Sequence, residues 1–177
     1  MDYSNYIRKG EGPLGMEPME MGQMGMMGGM GMGQMGMGGM GMQLSSSDYA
    51  LINDISEAVI REVHAYNFYQ RLIQMVPGEE NRRIILGIQR DEVKHYHWFT
   101  MILRMMGAQI PQIPPGEMPT ELREGIRTAI RTELDAAAFY QSIAYRATAH
   151  PIQMHFMHAS HDEQRHASLF QYMLMNL

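Results

Sequence analysis

Four glutamates and two histidines occur in this chain at spacings that suit the binding of two metal ions. The pattern appears twice, and each copy has a lone Glu followed later by a Glu-x-x-His sequence. The two copies consist of Glu62, Glu92 and His95, and of Glu133, Glu163 and His166. Each residue of the second copy lies 71 positions after its counterpart in the first. Carboxylate oxygens combined with imidazole nitrogens favour iron or manganese over copper or calcium. We therefore interpret these six side chains as metal ligands and, through the metals, as catalytic residues.

The spacing within each copy is that of an α-helix. The Glu and the His of each Glu-x-x-His lie three positions apart, so they point from one helix face and are separated by about 4.5 Å along the axis. A tyrosine follows each lone Glu after seven residues, or two turns, at Tyr69 and Tyr140. These tyrosines either donate hydrogen bonds to the metal-binding carboxylates or pack in the core with their hydroxyls otherwise satisfied. If each ligand set lies on its own helix, antiparallel packing brings all six groups together.

Apolar residues at helical spacing predict four such helices, at about residues 49–76, 79–106, 120–147 and 151–175. The apolar stripe of each helix is interrupted only at its ligand positions, which predicts an all-α, antiparallel four-helix bundle with the ligands in its core. The connection from Ala108 to Pro119 contains four prolines and is not expected to be helical. Such a connection either crosses the length of the bundle or runs over one end.

The first 44 residues differ in composition from the rest of the chain. From Gly22 to Met42 only Gly, Met and two Gln occur. A segment without charges or periodicity, and rich in glycine, is expected to be a disordered low-complexity tail. Its methionines are consistent with soft-metal binding, since thioethers favour Cu(I), or with an adaptable interaction surface. We therefore divide the chain into a Met/Gly-rich tail, residues 1–44, and a bundle domain, residues 45–177.

Composition argues against several classes of function. The formal net charge of −5 and the scattered basic residues do not indicate nucleic-acid binding. The chain has no cysteine, which rules out disulfides, cysteine-ligated iron–sulfur clusters and thiol chemistry. No apolar run approaches the roughly 18 residues of a membrane span, and the N-terminus lacks the apolar core of a secretory signal. A cytoplasmic protein without nucleic-acid or membrane partners is the expectation.

From about Asp48 onward the chain resembles the ferritin-like superfamily and, within it, rubrerythrin-type members. Two departures are visible. Rubrerythrins carry an additional carboxylate one turn before the lone Glu of the third helix, where this chain has Ala129 and Ile130. The cysteine-containing rubredoxin module is also absent from this sequence. The residues that carry the resemblance are Glu62, Tyr69, Glu92, His95, Glu133, Tyr140, Glu163 and His166.

The resemblance implies roles that spacing alone leaves open. From the residues, either the two lone glutamates or the two Glu-x-x-His glutamates could bridge the metals. The resemblance implies that the Glu-x-x-His glutamates bridge and that the lone glutamates each bind one metal. It also implies that the aspartates before the bridging residues support the imidazoles across the bundle, Asp91 to His166 and Asp162 to His95. The alternative is that both are ordinary surface aspartates.

The resemblance further implies an oxidoreductase whose two iron ions react with peroxide or dioxygen. The options are a rubrerythrin-like peroxidase supplied by an external electron donor, a ferroxidase with Fe(II) as substrate, and a di-manganese catalase-like enzyme. Manganese, or a mixed iron and manganese pair, is the alternative cofactor. The competing class is a non-enzymatic protein, structural or coat-associated, in which metal binding stabilises the fold. A homodimer is expected, because two-fold pairing is the commonest oligomeric arrangement.

Overall fold

The structure is a computed structural model that describes residues 45–177; the predicted Met/Gly-rich tail, residues 1–44, lies outside the described residues. The described part is all-α, as predicted, and contains no strand between residues 45 and 177. Its helices are α1 (Ser46–Met75), α2 (Glu79–Met105), α3 (Leu122–Arg146) and α4 (His150–Met175). None of them combines the length and hydropathy needed to span a bilayer.

Local capping explains where the helices begin. Ser45 and Asp48 form a capping box, in which Asp48 N donates to Ser45 Oγ at 3.2 Å and Ser45 N donates to Asp48 Oδ2 at 2.8 Å. This box starts α1 at Ser46 rather than at the predicted Tyr49. The Glu121 carboxylate accepts from two backbone N–H groups of the first turn and starts α3 two residues later than predicted.

Two helical hairpins, α1–α2 and α3–α4, pack against each other to form the bundle. Helix α1 lies beside α3, and α2 lies beside α4. Tyr69, late in α1, contacts Glu133 in the first half of α3, whereas Tyr140, late in α3, contacts Glu62 earlier in α1. These crossed contacts show that α1 and α3 are antiparallel, so α2 and α3 run in the same direction.

The connection between α2 and α3 therefore crosses the length of the bundle, which the sequence had left undecided. It runs along α1, and the His64 Nε2 atom lies 2.9 Å from the carbonyl oxygen of Pro114, at hydrogen-bonding distance. Further along, Pro119 lies close to Leu72 and to Gly125 at the start of α3. This path places residues 114–119 over the groove between α1 and α3.

Apolar layers close the bundle core on both sides of the predicted ligands. On one side the Phe99 and Phe156 rings stack with centroids 4.2 Å apart, and the Tyr140 ring forms a T-shaped contact with each of them. The other layer consists of Tyr69, Leu72, Val76, Ile85, Ile88, Ile126, Ala129, Phe170 and Met173. The polar groups between these layers are thus removed from bulk water along the bundle axis.

Candidate metal centre

The six predicted ligands converge at one level of the bundle. Helices α1 and α3 each contribute their lone Glu, and α2 and α4 each contribute a Glu-x-x-His. All six side chains are buried, with at most 3% of any residue exposed. Their donor atoms form two groups, each with all atoms within 4.8 Å of one another. The groups are Glu62, Glu92, His95 and Glu163, and Glu92, Glu133, Glu163 and His166.

Glu92 and Glu163 belong to both groups, so two ions bound at these groups would share them. Glu163 approaches both imidazoles, with Oε1 at 3.0 Å from His95 Nδ1 and Oε2 at 2.8 Å from His166 Nδ1. Both histidines thus direct Nδ1 toward the glutamates and Nε2 away from them. Glu62 Oε2 and Glu133 Oε2 lie 3.6 Å from the imidazoles of His95 and His166, respectively.

The donor set fits a pair of divalent cations. Four buried atoms have no hydrogen-bond partner among the described residues: Glu62 Oε2, Glu92 Oε1, His95 Nδ1 and Glu163 Oε1. His95 Nδ1 and Glu163 Oε1 are close, but their orientation is not that of a hydrogen bond. Burying unpaired carboxylates costs several kcal/mol. Cations at the two groups would provide the missing partners, and this mixture of oxygen and imidazole donors suits iron or manganese.

The pKa values of Glu92, Glu133 and His95 are also shifted by burial and by close contacts. Burial, reinforced by the nearby carboxylate of Glu163, raises the pKa of Glu92 and of Glu133 well above the usual range. Burial opposes a charge on His95, but contacts with Asp162 and Glu163 outweigh it and hold the pKa of His95 well above its usual value. Metal ions bind carboxylates and neutral imidazoles, so metal binding must displace protons from these groups.

Each buried tyrosine hydrogen-bonds to the lone Glu of the opposite hairpin. The Tyr69 hydroxyl donates to Glu133 Oε1, and the Tyr140 hydroxyl donates to Glu62 Oε1. Burial and the adjacent glutamates raise the pKa of both tyrosines, which keeps the hydroxyls protonated as donors. The sequence placed each tyrosine on the ligand stripe of its own helix, and the antiparallel packing determines which carboxylate it reaches.

The aspartates lie behind the imidazoles, across the bundle. Asp162 Oδ2 lies 3.2 Å from His95 Nε2, and Asp91 Oδ2 lies 3.3 Å from His166 Nε2. These are the pairings that the resemblance implied. A carboxylate at Nε2 fixes the orientation of the ring and leaves Nδ1 directed at the metal centre.

Two basic residues that the sequence analysis did not identify complete this outer layer. Lys94 and Arg165 each contact both Asp91 and Asp162, at 2.7–2.9 Å. Contacts with His166, Lys94 and Arg165 outweigh burial and lower the pKa of Asp91. The sequence did contain a signal, because the position before each ligand histidine is basic in both copies, 71 residues apart.

A cavity of about 240 Å³ reaches the carboxylate side of the cluster. All four glutamates line it, together with Tyr69 and Tyr140, whereas the imidazoles face the opposite side. Glu117 from the crossover connection also lines it, and no local sequence pattern could have placed that residue there. The other polar lining residues outside the predicted site are Arg61, His64, Thr128 and Thr132.

Comparison with known proteins places the bundle in a recognised structural class. No protein-family model matches the chain. The chain is 30% identical over 129 residues to the uncharacterized protein YhjR of Bacillus subtilis (strain 168). The matched residues cover 72% of this chain and 89% of that protein.

Three solved structures share the fold at low sequence identity. A ferritin-like, diiron-carboxylate protein from Bacillus anthracis str. Ames has a TM-score of 0.65 and 18% identity, covering 74% of this chain and 99% of that one. A hypothetical protein from Pyrococcus furiosus has a TM-score of 0.64 and 20% identity, covering 75% of this chain and 94% of that one. A conserved hypothetical protein from Mycobacterium tuberculosis has a TM-score of 0.63 and 14% identity, covering 75% of this chain and 93% of that one. The described residues therefore form a ferritin-like four-helix bundle whose buried Glu and His clusters permit a di-metal site.

Proposed function

The chain belongs to the same protein family as YhjR of Bacillus subtilis, and we propose that it is a di-iron oxidoreductase that reacts with peroxide or dioxygen. The observation that carries the proposal is the pair of buried donor groups that share Glu92 and Glu163 beside a cavity. The solved structure from Bacillus anthracis is described as a diiron-carboxylate protein, which supports the choice of iron. Within this class, the proposed activity is that of a rubrerythrin-like peroxidase or ferroxidase.

The residues divide into two equivalent halves around the proposed metals. Glu62 and His95 would hold one ion, Glu133 and His166 the other, while Glu92 and Glu163 would bridge them. With iron bound, the site would supply the two electrons that reduction of a peroxide O–O bond requires.

The protein side chains control access to the centre. The cavity lies between α1 and α3 on the glutamate side of the cluster, so a small oxidant would approach the glutamates and not the imidazoles. Phe68, Ala65 and Ala136 supply apolar lining, which limits the water around the site. Tyr69 and Tyr140 hold protons on hydroxyls that line the same cavity. This sequence contains no cysteine that could ligate a redox-active iron, and we propose a separate protein as electron donor.

The test is anaerobic loading with Fe(II), followed by rapid mixing with peroxide or with dioxygen. We expect two Fe(II) per chain, rapid appearance of ferric near-ultraviolet absorption, and repeated turnover when a chemical reductant is supplied. Glu92→Gln should abolish paired binding. Glu117→Gln is the matched control, because Glu117 lines the cavity but belongs to neither donor group.

Other results would select the competing functions. Tight binding of two Fe(II) with no reaction toward either oxidant would favour a structural role for the metals. Oxygen evolution from peroxide by the manganese-loaded protein, with an inert iron form, would favour a di-manganese catalase. Failure of the wild-type chain to bind any divalent metal would contradict the whole proposal.

A further inference from the structure

Four charged side chains form a closed ring on the imidazole side of the centre. Lys94 Nζ lies 2.7 Å from Asp91 Oδ1 and 2.9 Å from Asp162 Oδ2. Arg165 Nη2 lies 2.7 Å from Asp91 Oδ2 and 2.9 Å from Asp162 Oδ1. Each base therefore bridges both aspartates, and each aspartate binds one base with each of its oxygens. We call this cluster of Asp91, Lys94, Asp162 and Arg165 the charged ring.

The charged ring is connected to the histidines in a regular way. Asp162 Oδ2 contacts both Lys94 Nζ and the imidazole of His95, the residue that follows Lys94. In the other half, Asp91 Oδ2 contacts both Arg165 Nη2 and the imidazole of His166, the residue that follows Arg165. Each base thus shares a single carboxylate oxygen with the histidine that follows it on the same helix.

Partners on several sides constrain the base on α2. Lys94 Nζ lies 5.2 Å from the centroid of the Trp98 ring, one turn further along α2, and that ring packs against His95 at 5.6 Å. Lys94 is also the only lysine among the described residues, where every other permanently basic side chain is arginine. Lysine carries its charge on a flexible four-carbon stem, and these contacts restrict its positions.

We infer that Lys94 and Arg165 are positioning residues that fix Asp91 and Asp162 against the outer nitrogens of both histidines. The ring thereby directs the two Nδ1 atoms into the metal centre. It spans α2 and α4, so one cluster sets the orientation of both imidazoles together. The two positive charges also balance the two aspartates, so the outer layer adds no net negative charge behind the four glutamates.

From this arrangement we expect a positive charge at positions 94 and 165 to matter more for metal binding than whether the residue is lysine or arginine. Each base uses one nitrogen atom to reach both aspartates, so an ammonium and a guanidinium can exchange places. Removing Lys94 leaves Asp91 Oδ1 without a partner and Asp162 Oδ2 with only His95. Removing Arg165 likewise leaves Asp162 Oδ1 without a partner and Asp91 Oδ2 with only His166. The aspartates are then less constrained and can turn away from the imidazoles. Loss of a partner that orients a metal ligand typically weakens metal binding by about 10–100-fold.

The test measures Co(II) binding to the full-length metal-free chain, by titration and by the visible absorption that reports ligand geometry. This inference rests on the proposed metal centre, so the wild type must first bind two Co(II). We expect Lys94→Met and Arg165→Met each to weaken binding at least about 10-fold and to alter the absorption. The double exchange Lys94→Arg with Arg165→Lys should restore both.

The matched control is Arg146→Met. This substitution removes another ion pair between helices, from Arg146 Nη1 on α3 to Asp54 Oδ2 on α1 at 2.7 Å, that touches none of the ligands. It should lower the melting temperature without changing Co(II) affinity or absorption, which separates positioning from simple joining of helices. If Lys94→Met does not fold, Lys94→Gln is measured in its place.

Three results would overturn the inference. The first is Co(II) affinity and absorption unchanged in Lys94→Met and Arg165→Met while the wild type binds two ions, which leaves the proposed function standing. The second is a double-exchange variant as impaired as the single variants, since position-specific chemistry and not charge would then be required. A wild type that binds no Co(II) removes the proposed function as well.

Discussion

The Tyr140 hydroxyl on α3 donates a hydrogen bond to Glu62 on α1, 78 residues earlier in the chain. The equivalent bond runs in the opposite direction, from Tyr69 on α1 to Glu133 on α3. These two bonds join α1 to α3 at the level of the candidate metal centre, and the charged ring joins α2 to α4 at the same level. The two hairpins are therefore held in register at the site by contacts that do not themselves require metal.

Tyr140→Phe should destabilise the metal-free bundle by about 1.5–3 kcal/mol, because it leaves a buried carboxylate oxygen without its donor. The measurement is the free energy of unfolding in urea. Tyr145→Phe serves as control, since Tyr145 is on the same helix and is 72% exposed. Equal unfolding free energies for the two variants would show that the hydrogen bond to Glu62 contributes little.

Glu92→Gln should have opposite effects on metal binding and on stability. Burial and the neighbouring carboxylates raise the pKa of Glu92, so a negative charge there opposes folding at neutral pH in the absence of metal. A neutral amide removes that repulsion, and we expect the metal-free variant to be more stable at pH 7 by about 1–3 kcal/mol. Isothermal titration with Fe(II) should show that paired binding is lost. A less stable metal-free variant would contradict the electrostatic account.

Acidification should destabilise the metal-free protein through the charged ring. The pKa values of Asp91 and Asp162 are lower in the folded protein than in the unfolded chain. Their stabilising contribution is therefore complete above the unfolded value of about 3.9, and is lost as the pH falls through the lower folded values. Urea unfolding between pH 5 and about pH 2 should show this loss, and Asp162→Asn should reduce its slope. An unchanged slope in that variant would argue against the ring as its source.

Neutralisation should also destabilise the metal-free protein, for a different reason. The folded pKa of Glu133 lies above its unfolded value, so its ionisation opposes folding as the pH rises above about 4.3. The pKa of His166 is raised too, so its contribution is present below about pH 6.5 and declines as the pH rises toward the folded value. Stability without metal should thus be greatest near about pH 4–5.

Bound metal replaces these protons, so the loaded protein should instead gain stability toward pH 7. Metal-free stability that increases steadily to pH 7 would refute this prediction.

The start of α3 should be sensitive to a single methyl group. A Cβ atom at Gly125 would lie 2.9 Å from Leu72 Cδ2 and 2.9 Å from Pro119 Cβ. We expect Gly125→Ala to cost about 1–3 kcal/mol of unfolding free energy and to increase proteolysis of the crossover connection. Gly87→Ala is the control, because that helical glycine has open space around it and should gain about 0.5–1 kcal/mol. Similar effects at both positions would indicate that the crossover packs loosely against α3.

The donor residues were predictable because helix geometry is local. Three residues of α-helix fix the relative direction of Glu92 and His95 whatever surrounds them, and the repeat at 71 positions marked the corresponding residues of the second half. The apolar stripes, interrupted only at ligand positions, placed those residues in the core of a four-helix bundle. Ser45 and Asp48 show the limit of this reasoning, since their capping box moved the start of α1 by three residues.

Contacts between helices were decided by the tertiary structure, because they depend on helix order and axial register. From the sequence alone, without the order of the helices, Lys94 and Arg165 resemble ordinary surface charges, although each lies beside a predicted ligand histidine. The same order sends the crossover connection along α1, and only this path brings Glu117 to the cavity. The sequence by itself therefore determined which side chains could bind metal, since that follows from periodicity along one helix. Which groups contact those side chains from behind, and which side of the cluster borders the cavity, followed only from the packing of helices distant in the chain.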